Sequence, residues 1–166
     1  MIKKQIPFHS QEMKNINTLY QQAFPKNEQM DLSKIFDLQK GVIYGYYQQE
    51  QLVGFVIICI HQQIVSILYL AIQEEYRNQG IGSYIVNDLA QQYNQYKIVA
   101  DIEKIKDVEN KTQRIKRKQF YLKNHFQETD VTYTWQNEDY VILSRNGIVQ
   151  KDEFWHYWDT LKKEAQ

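Results

Sequence analysis

The residues of this chain best placed to do chemistry lie between Leu68 and Gly82, where an apolar run, Leu68-Tyr69-Leu70-Ala71-Ile72, leads into Gln73-Glu74-Glu75-Tyr76-Arg77-Asn78-Gln79-Gly80-Ile81-Gly82. The turn reads Arg-x-x-Gly-x-Gly and opens directly into an amphipathic stretch with Ile81, Tyr84, Ile85 and Leu89 at helical spacing. A strand that delivers the chain to a helix N-terminus makes a cradle for an anion, because the first N–H groups of a helix lack intrahelical partners and the dipole is positive there. Gly80 and Gly82 carry no Cβ to keep phosphate oxygens from the backbone, and Arg77 adds a cation. Two other phosphate loops fit less well. A dinucleotide fingerprint needs a third glycine where Ile85 stands, although Asp101 and Glu103 lie near the usual distance for a ribose-binding acid. A P-loop needs Gly-Lys-Ser/Thr after a longer spacer, and none is present.

A second segment bears on the same chemistry. Asp101-Ile102-Glu103 ends an apolar run, and the basic helix Lys111 to Asn124 that follows carries Phe120-Tyr121, with His125-Phe126 just after it. With Arg77, Gly80 and Gly82 filling (Gln/Arg)-x-x-Gly-x-(Gly/Ala), and Phe120, Tyr121 and Phe126 filling aromatic-Tyr-x-x-x-Gly-Phe, the chain resembles the GNAT superfamily of acyl-CoA-dependent N-acyltransferases. It departs from that pattern at His125, where the family has glycine, and at Arg114, where many members carry Asn. Asn and His tolerate a left-handed backbone better than most residues, so Asn124-His125 is expected to end the helix as the glycine would.

The resemblance covers about residues 1 to 145 and implies the family's architecture. That is an α/β (α+β) fold with a mixed, mostly antiparallel central sheet flanked by helices. Residues 146 to 166 form an extra C-terminal helix, suited to docking on the domain or to a homodimer surface. The implied cosubstrate is acetyl-CoA, with Arg77, Asn78, Gln79, Gly80, Ile81, Gly82 and Ser83 around its pyrophosphate. The backbone of Leu70, Ala71 and Ile72 would pair with the pantetheine arm, and Arg117 would meet a phosphate. Tyr121 matches the tyrosine that protonates the departing thiolate. The general base is open: the strand Ile64 to Ile72 has no carboxylate, which leaves Glu103 and Glu28, the latter in a Phe24-Pro25-Lys26-Asn27-Glu28 segment like the substrate-side loop of arylalkylamine-type members. The implied reaction is acetyl transfer to a primary amine by direct attack in a ternary complex. The alternative is a catalytically silent acyl-CoA-binding module.

The elements that must position these residues are legible from periodicity and breakers. Strands are expected at Ile2 to Phe8, Val42 to Tyr47, Leu52 to Ile60, Ile64 to Ile72, Tyr96 to Glu103, Val131 to Trp135 and Tyr140 to Ser144. Helices are expected at Gln11 to Gln22 with Ser10 as N-cap, Asp31 to Leu38 ended by Gly41, the two already named, and one after Gln150 with Phe154, Trp158, Leu161 and Ala165 on one face. Tyr44 and Tyr46 would face one way and Tyr47 the other, so all three cannot line one acceptor pocket.

Bulk composition narrows the classes. The 166 residues make one domain with 20 Lys+Arg against 20 Asp+Glu, which argues against a nucleic-acid coat. No apolar run is long enough for a membrane span, and Met1 to Pro7 has no apolar h-region behind its lysines. The single Cys59, flanked by isoleucines, reads as a buried small hydrophobe in a cytoplasmic protein. His9, His61, His125 and His156 share no metal-ligand spacing.

Overall fold

In the computed structural model, which describes all 166 residues, the chain order is β1 (Ile2–Gln5), α1 (Met13–Ala23), α2 (Ser33–Asp37), β2 (Gly41–Gln48), β3 (Gln51–His61), β4 (Ile64–Ile72), α3 (Ile81–Gln92), β5 (Lys97–Glu103), α4 (Lys111–Lys123), β6 (Gln127–Trp135), β7 (Glu138–Arg145) and α5 (Lys151–Glu164). The strands form a seven-stranded sheet in the order β1-β2-β3-β4-β5-β7-β6. Four of its pairings, β1 with β2, β2 with β3, β5 with β7 and β6 with β7, are antiparallel. The chain divides into two compact units, one of Met1–Ile60, Ile67–Ile85 and Ala165, the other of His61–Ser66, Val86–Glu164 and Gln166.

The first unit is built on the apolar faces of α1 and the N-terminal strands. Met13, Ile16, Leu19 and Tyr20 of α1 are buried with Ile43, Phe55, Ile57, Tyr69 and Ala71 in one cluster. Helix α1 starts two residues later than its stripe suggests, because the Ser10 hydroxyl donates to the Pro7 carbonyl (2.7 Å) rather than capping the helix. Strand β1 stops at Gln5, ahead of Pro7, which has no N–H for the ladder. Gly41 does not end α2. Gln39, at φ +58°, takes the left-handed position, and Gly41 opens β2 under the Phe36 ring, which lies 2.9 Å from where its Cβ would be. The β2–β3 hairpin turns on Gln49-Glu50, both at positive φ, the backbone of a primed two-residue turn made without glycine; Gln62-Gln63, between β3 and β4 and counted with the second unit, take the same backbone.

The second unit holds the β5-β7-β6 sheet with α4 and α5. Its hairpin turns on Gln136-Asn137, again at positive φ. Helix α4 ends where His125 adopts φ +67°. The His125 N–H reaches the Leu122 carbonyl (3.2 Å) and the Phe126 N–H reaches the Tyr121 carbonyl (3.1 Å), a Schellman cap with histidine at the glycine position. The accompanying apolar contact is Tyr121 against Phe126, ring centroids 5.0 Å apart, so the cap also seats Tyr121. Helix α5 buries Phe154, Tyr157 and Leu161, so Tyr157 shares the inward face expected for Trp158. Glu153 caps its first turn from the Gln150 N–H (2.7 Å) and pairs with Lys97 of β5 (2.5 Å). No helix is long and apolar enough to cross a membrane.

Candidate active site

The phosphate-type loop lies in the first unit, and its shape follows from how β4 ends. Gly54 of β3 has no room for a side chain: a Cβ there would lie 2.8 Å from Ile72 Cδ1 and 2.9 Å from the Ala71 carbonyl. That close approach lets the Gln73 N–H bond Val53 O (2.8 Å) and holds the strand end rigidly. A 3₁₀ turn over Glu74–Tyr76 follows, and Arg77 Nε reaches back to the Ile72 carbonyl (3.2 Å), tying the loop to the strand it leaves. Asn78 (φ +62°) and Gly80 (φ +78°) are both left-handed, which bends the chain sharply into α3. The Tyr84 N–H bonds Gly80 O (3.0 Å), so Gly80 supplies the carbonyl for the first helical turn. Beyond its own chain neighbours, no atom lies within 4 Å of where a Gly80 Cβ would stand, and Arg77 through Gly80 are exposed. An anion therefore has open access to the backbone over this bend.

Glu28 also belongs to the first unit. It lies exposed in the 3₁₀ turn Lys26–Glu28, and its carbonyl accepts the Tyr69 hydroxyl (2.8 Å), while the Met30 N–H donates to the same hydroxyl (3.0 Å). Tyr69 of β4 thus pins the segment that joins α1 and α2 from both sides. Burial, then its contact with Tyr20, pushes the Tyr69 phenol far above the usual tyrosine range, so it stays a neutral donor.

The other titratable candidates gather in the second unit. Glu103 carries a tight ion pair with Arg114 (2.6 Å) and lies 3.6 Å from Arg117. Arg114 is buried and turned inward: besides Glu103 it binds Glu138 (2.5 Å), the Lys104 carbonyl (2.8 Å) and Asn110 Oδ1 (2.9 Å). Arg114 therefore staples β5, β7 and the start of α4, and this one residue of the basic helix is part of the interior. Lys118 pairs with Glu128.

Tyr121 is buried, and burial pushes its phenol up to about 12, Arg117 opposing this and Asp101 adding to it. Asp101, singled out by the sequence only as an acid at ribose-binding distance and as the start of the Asp101-Ile102-Glu103 segment, is here a partner of a tyrosine. Cross-strand register puts Asp101 opposite Ile142 and Tyr140 opposite Tyr133, so all four share one face of the sheet. On that face the Tyr133 hydroxyl donates to Asp101 Oδ2. Oδ1 is shut off from solvent and accepts no hydrogen bond. Burial raises the Asp101 carboxyl to about 6, the hydrogen bond from Tyr133 pulling the other way. The two residues are separated by 32 positions, and only β-sheet register brings them together.

The arrangement can hold an anion on backbone in the first unit, and in the second it presents a protonated phenol beside a carboxylate of moderate acidity. The Acetyltransferase (GNAT) domain profile matches residues 39–128. No curated protein matches the chain significantly. Among solved structures, a chain from Bacteroides thetaiotaomicron assigned to the GNAT acetyltransferases superposes with a TM-score of 0.74 at 16% identity, covering 98% of this chain and 95% of that one. The aminoglycoside 6′-N-acetyltransferase of Enterococcus faecium gives 0.65 at 13% identity over 87% and 96% of the two chains. A Bacillus subtilis acetyltransferase in complex with CoA gives 0.62 at 16% identity over 88% and 98%. These likenesses show the fold, and the profile covers more than half the chain. The chain belongs to the GNAT superfamily, whose chemistry is acetyl-CoA-dependent acyl transfer.

Proposed function

We propose that this protein is an N-acetyltransferase that moves acetyl from acetyl-CoA to the primary amine of a small molecule or peptide, by direct attack of the amine in a ternary complex. The observation that carries this reading is the bend at Asn78–Gly80, with two left-handed residues, open space over Gly80 and the N-terminus of α3 behind it. Backbone N–H groups from Gly80 to Ser83 would hold the pyrophosphate, and Arg77 would flank it. Leu70, Ala71 and Ile72 would offer their backbone to the pantetheine arm as an added strand does. Arg117 would meet a phosphate. Tyr121, kept protonated by burial, would give its proton to the departing thiolate.

The acceptor class rests on the family's amine chemistry, and the solved Enterococcus faecium relative is named for an aminoglycoside amine. Calorimetric titration with acetyl-CoA tests the reading, in the wild type and in Gly82→Trp, whose indole would crowd the start of α3. Wild-type binding that the variant loses, with the variant's circular dichroism unchanged, is the expected result. Binding without transfer to any amine would favour a silent acyl-CoA module, and no binding by folded wild type would sink both.

A further inference from the structure

We propose that Tyr133 and Asp101 form a proton-accepting dyad, in which the Tyr133 oxygen takes the proton of the attacking amine while its own proton passes to Asp101. The inference rests on the acetyl-transfer reading above and supplies the base that β4 lacks. Three observations carry it. Glu103 has its carboxylate oxygens turned to Arg114 (2.6 Å) and Arg117 (3.6 Å), so they are engaged by cations rather than open to an incoming amine. Asp101, two residues away on the same face of β5, has one oxygen capped by the Tyr133 hydroxyl and the other buried without a hydrogen bond. A carboxylate so poorly solvated gains from protonation. With Oδ1 closed to solvent and Oδ2 covered by the phenol, Asp101 is reached through Tyr133.

The phenol is held in place by its neighbours. Its ring stacks on Tyr140 of β7 (centroids 5.1 Å, 17° between planes), and Trp155 of α5 meets its edge (6.3 Å, 77°). The C-terminal helix thereby braces the dyad. Tyr121 lies near enough for the Asp101 charge to act on it. Arg117 of α4 acts on the same Tyr121 phenol, Tyr140 of β7 stacks on Tyr133, and on the strand of Asp101 itself Glu103 and Lys97 are paired with Arg114 and Glu153. The Phe154 and Trp155 side chains of α5 carry no charge.

The step balances within these groups. The amine nitrogen bonds the acyl carbon, its proton goes to Tyr133, and the Tyr133 proton goes to Asp101. The C–S bond breaks, and the thiolate takes the Tyr121 proton. After product leaves, solvent returns a proton to Tyr121, and the proton on Asp101 passes back to the Tyr133 oxygen as Tyr133 gives its own to solvent.

The test measures kcat for Tyr133→Phe, Asp101→Asn and the double variant with acetyl-CoA and three acceptors: spermidine, kanamycin and a peptide with N-terminal alanine. Calorimetry gives the acetyl-CoA Kd of each protein, and carbon-13 NMR follows the Asp101 carboxyl. Each single variant should lose roughly 100-fold in kcat with Kd within about threefold, and the double variant should lose no more, as for residues acting as a unit. The wild-type Asp101 carboxyl should titrate near about 6 and move upward in Tyr133→Phe, which removes the hydrogen bond that opposes burial. Tyr133→Phe retaining kcat within threefold, or single losses that multiply in the double variant, would overturn the dyad while acetyl transfer stands. A wild type that binds no acetyl-CoA would overturn both. A midpoint unmoved in Tyr133→Phe overturns the dyad whatever the turnover, and if Asp101→Asn does not fold, Tyr133→Phe carries the test.

Discussion

Glu103 and Asp101 stand two residues apart on one face of β5, and their surroundings give them opposite characters. Glu103 is saturated by Arg114, itself bonded to Glu138, a backbone carbonyl and Asn110. Asp101 has a single phenol and a buried, unbonded oxygen. The first carboxylate is built for stability. The second keeps a proton affinity close to neutral pH at a cost to the fold. A strand ending in Asp-x-Glu does not say which acid will be which; the partners that neighbouring elements present decide it.

Removing the cation that saturates Glu103 should be the most damaging way to break this contrast. Arg114→Ala leaves two shielded carboxylates without their partner and should cost about 3–4 kcal/mol, read as a fall in Tm of roughly 10 °C. That variant losing less than about 1 kcal/mol would mean the network is ornamental.

The pH dependence of stability sharpens the other side. The Asp101 carboxyl sits at about 6 in the folded chain against 3.8 as its ordinary value, so between those values the native state binds more protons than the unfolded one. Stability is then greatest below pH 4 as far as this group is concerned, and falls as pH rises to about 6. The penalty at neutral pH is of order 2–3 kcal/mol. Urea unfolding of wild type and Asp101→Asn across pH 4 to 7 should show the asparagine variant lacking that decline. Parallel curves would remove Asp101 as the strained member of the pair.

Glu103→Gln is the milder counterpart, because Arg114 keeps Glu138. A loss of about 1–2 kcal/mol by chemical denaturation is expected, with the pH 4 to 6 decline assigned to Asp101 still present. The smallest effect belongs to the end of α4, the helix that brings Arg114, Arg117 and Tyr121 to these acids. His125→Gly relieves a left-handed histidine at φ +67° and should stabilise by about 0.5–1 kcal/mol. A loss instead would show that the imidazole is held by contacts of its own.

Much of the molecule follows from local rules that need no partner. Hydrophobic period and Gly/Pro punctuation locate all seven strands and the long helices to within a few residues. The Arg77–Gly82 loop is legible because backbone does its work and glycine is the residue that permits that backbone. His125 is legible for the same reason, since few side chains tolerate the cap it makes. The hairpin turns were less visible, because Gln49-Glu50 and Gln62-Gln63 take positive φ without the usual glycine, under the demand of the strands they join. Arg114 as a buried staple and the Asp101–Tyr133 bond were settled by tertiary structure alone. Ion pairing and desolvation depend on which side chains arrive at one point in space. For Asp101 that depends on the register of β7 against both β5 and β6, which no local stretch of this chain encodes.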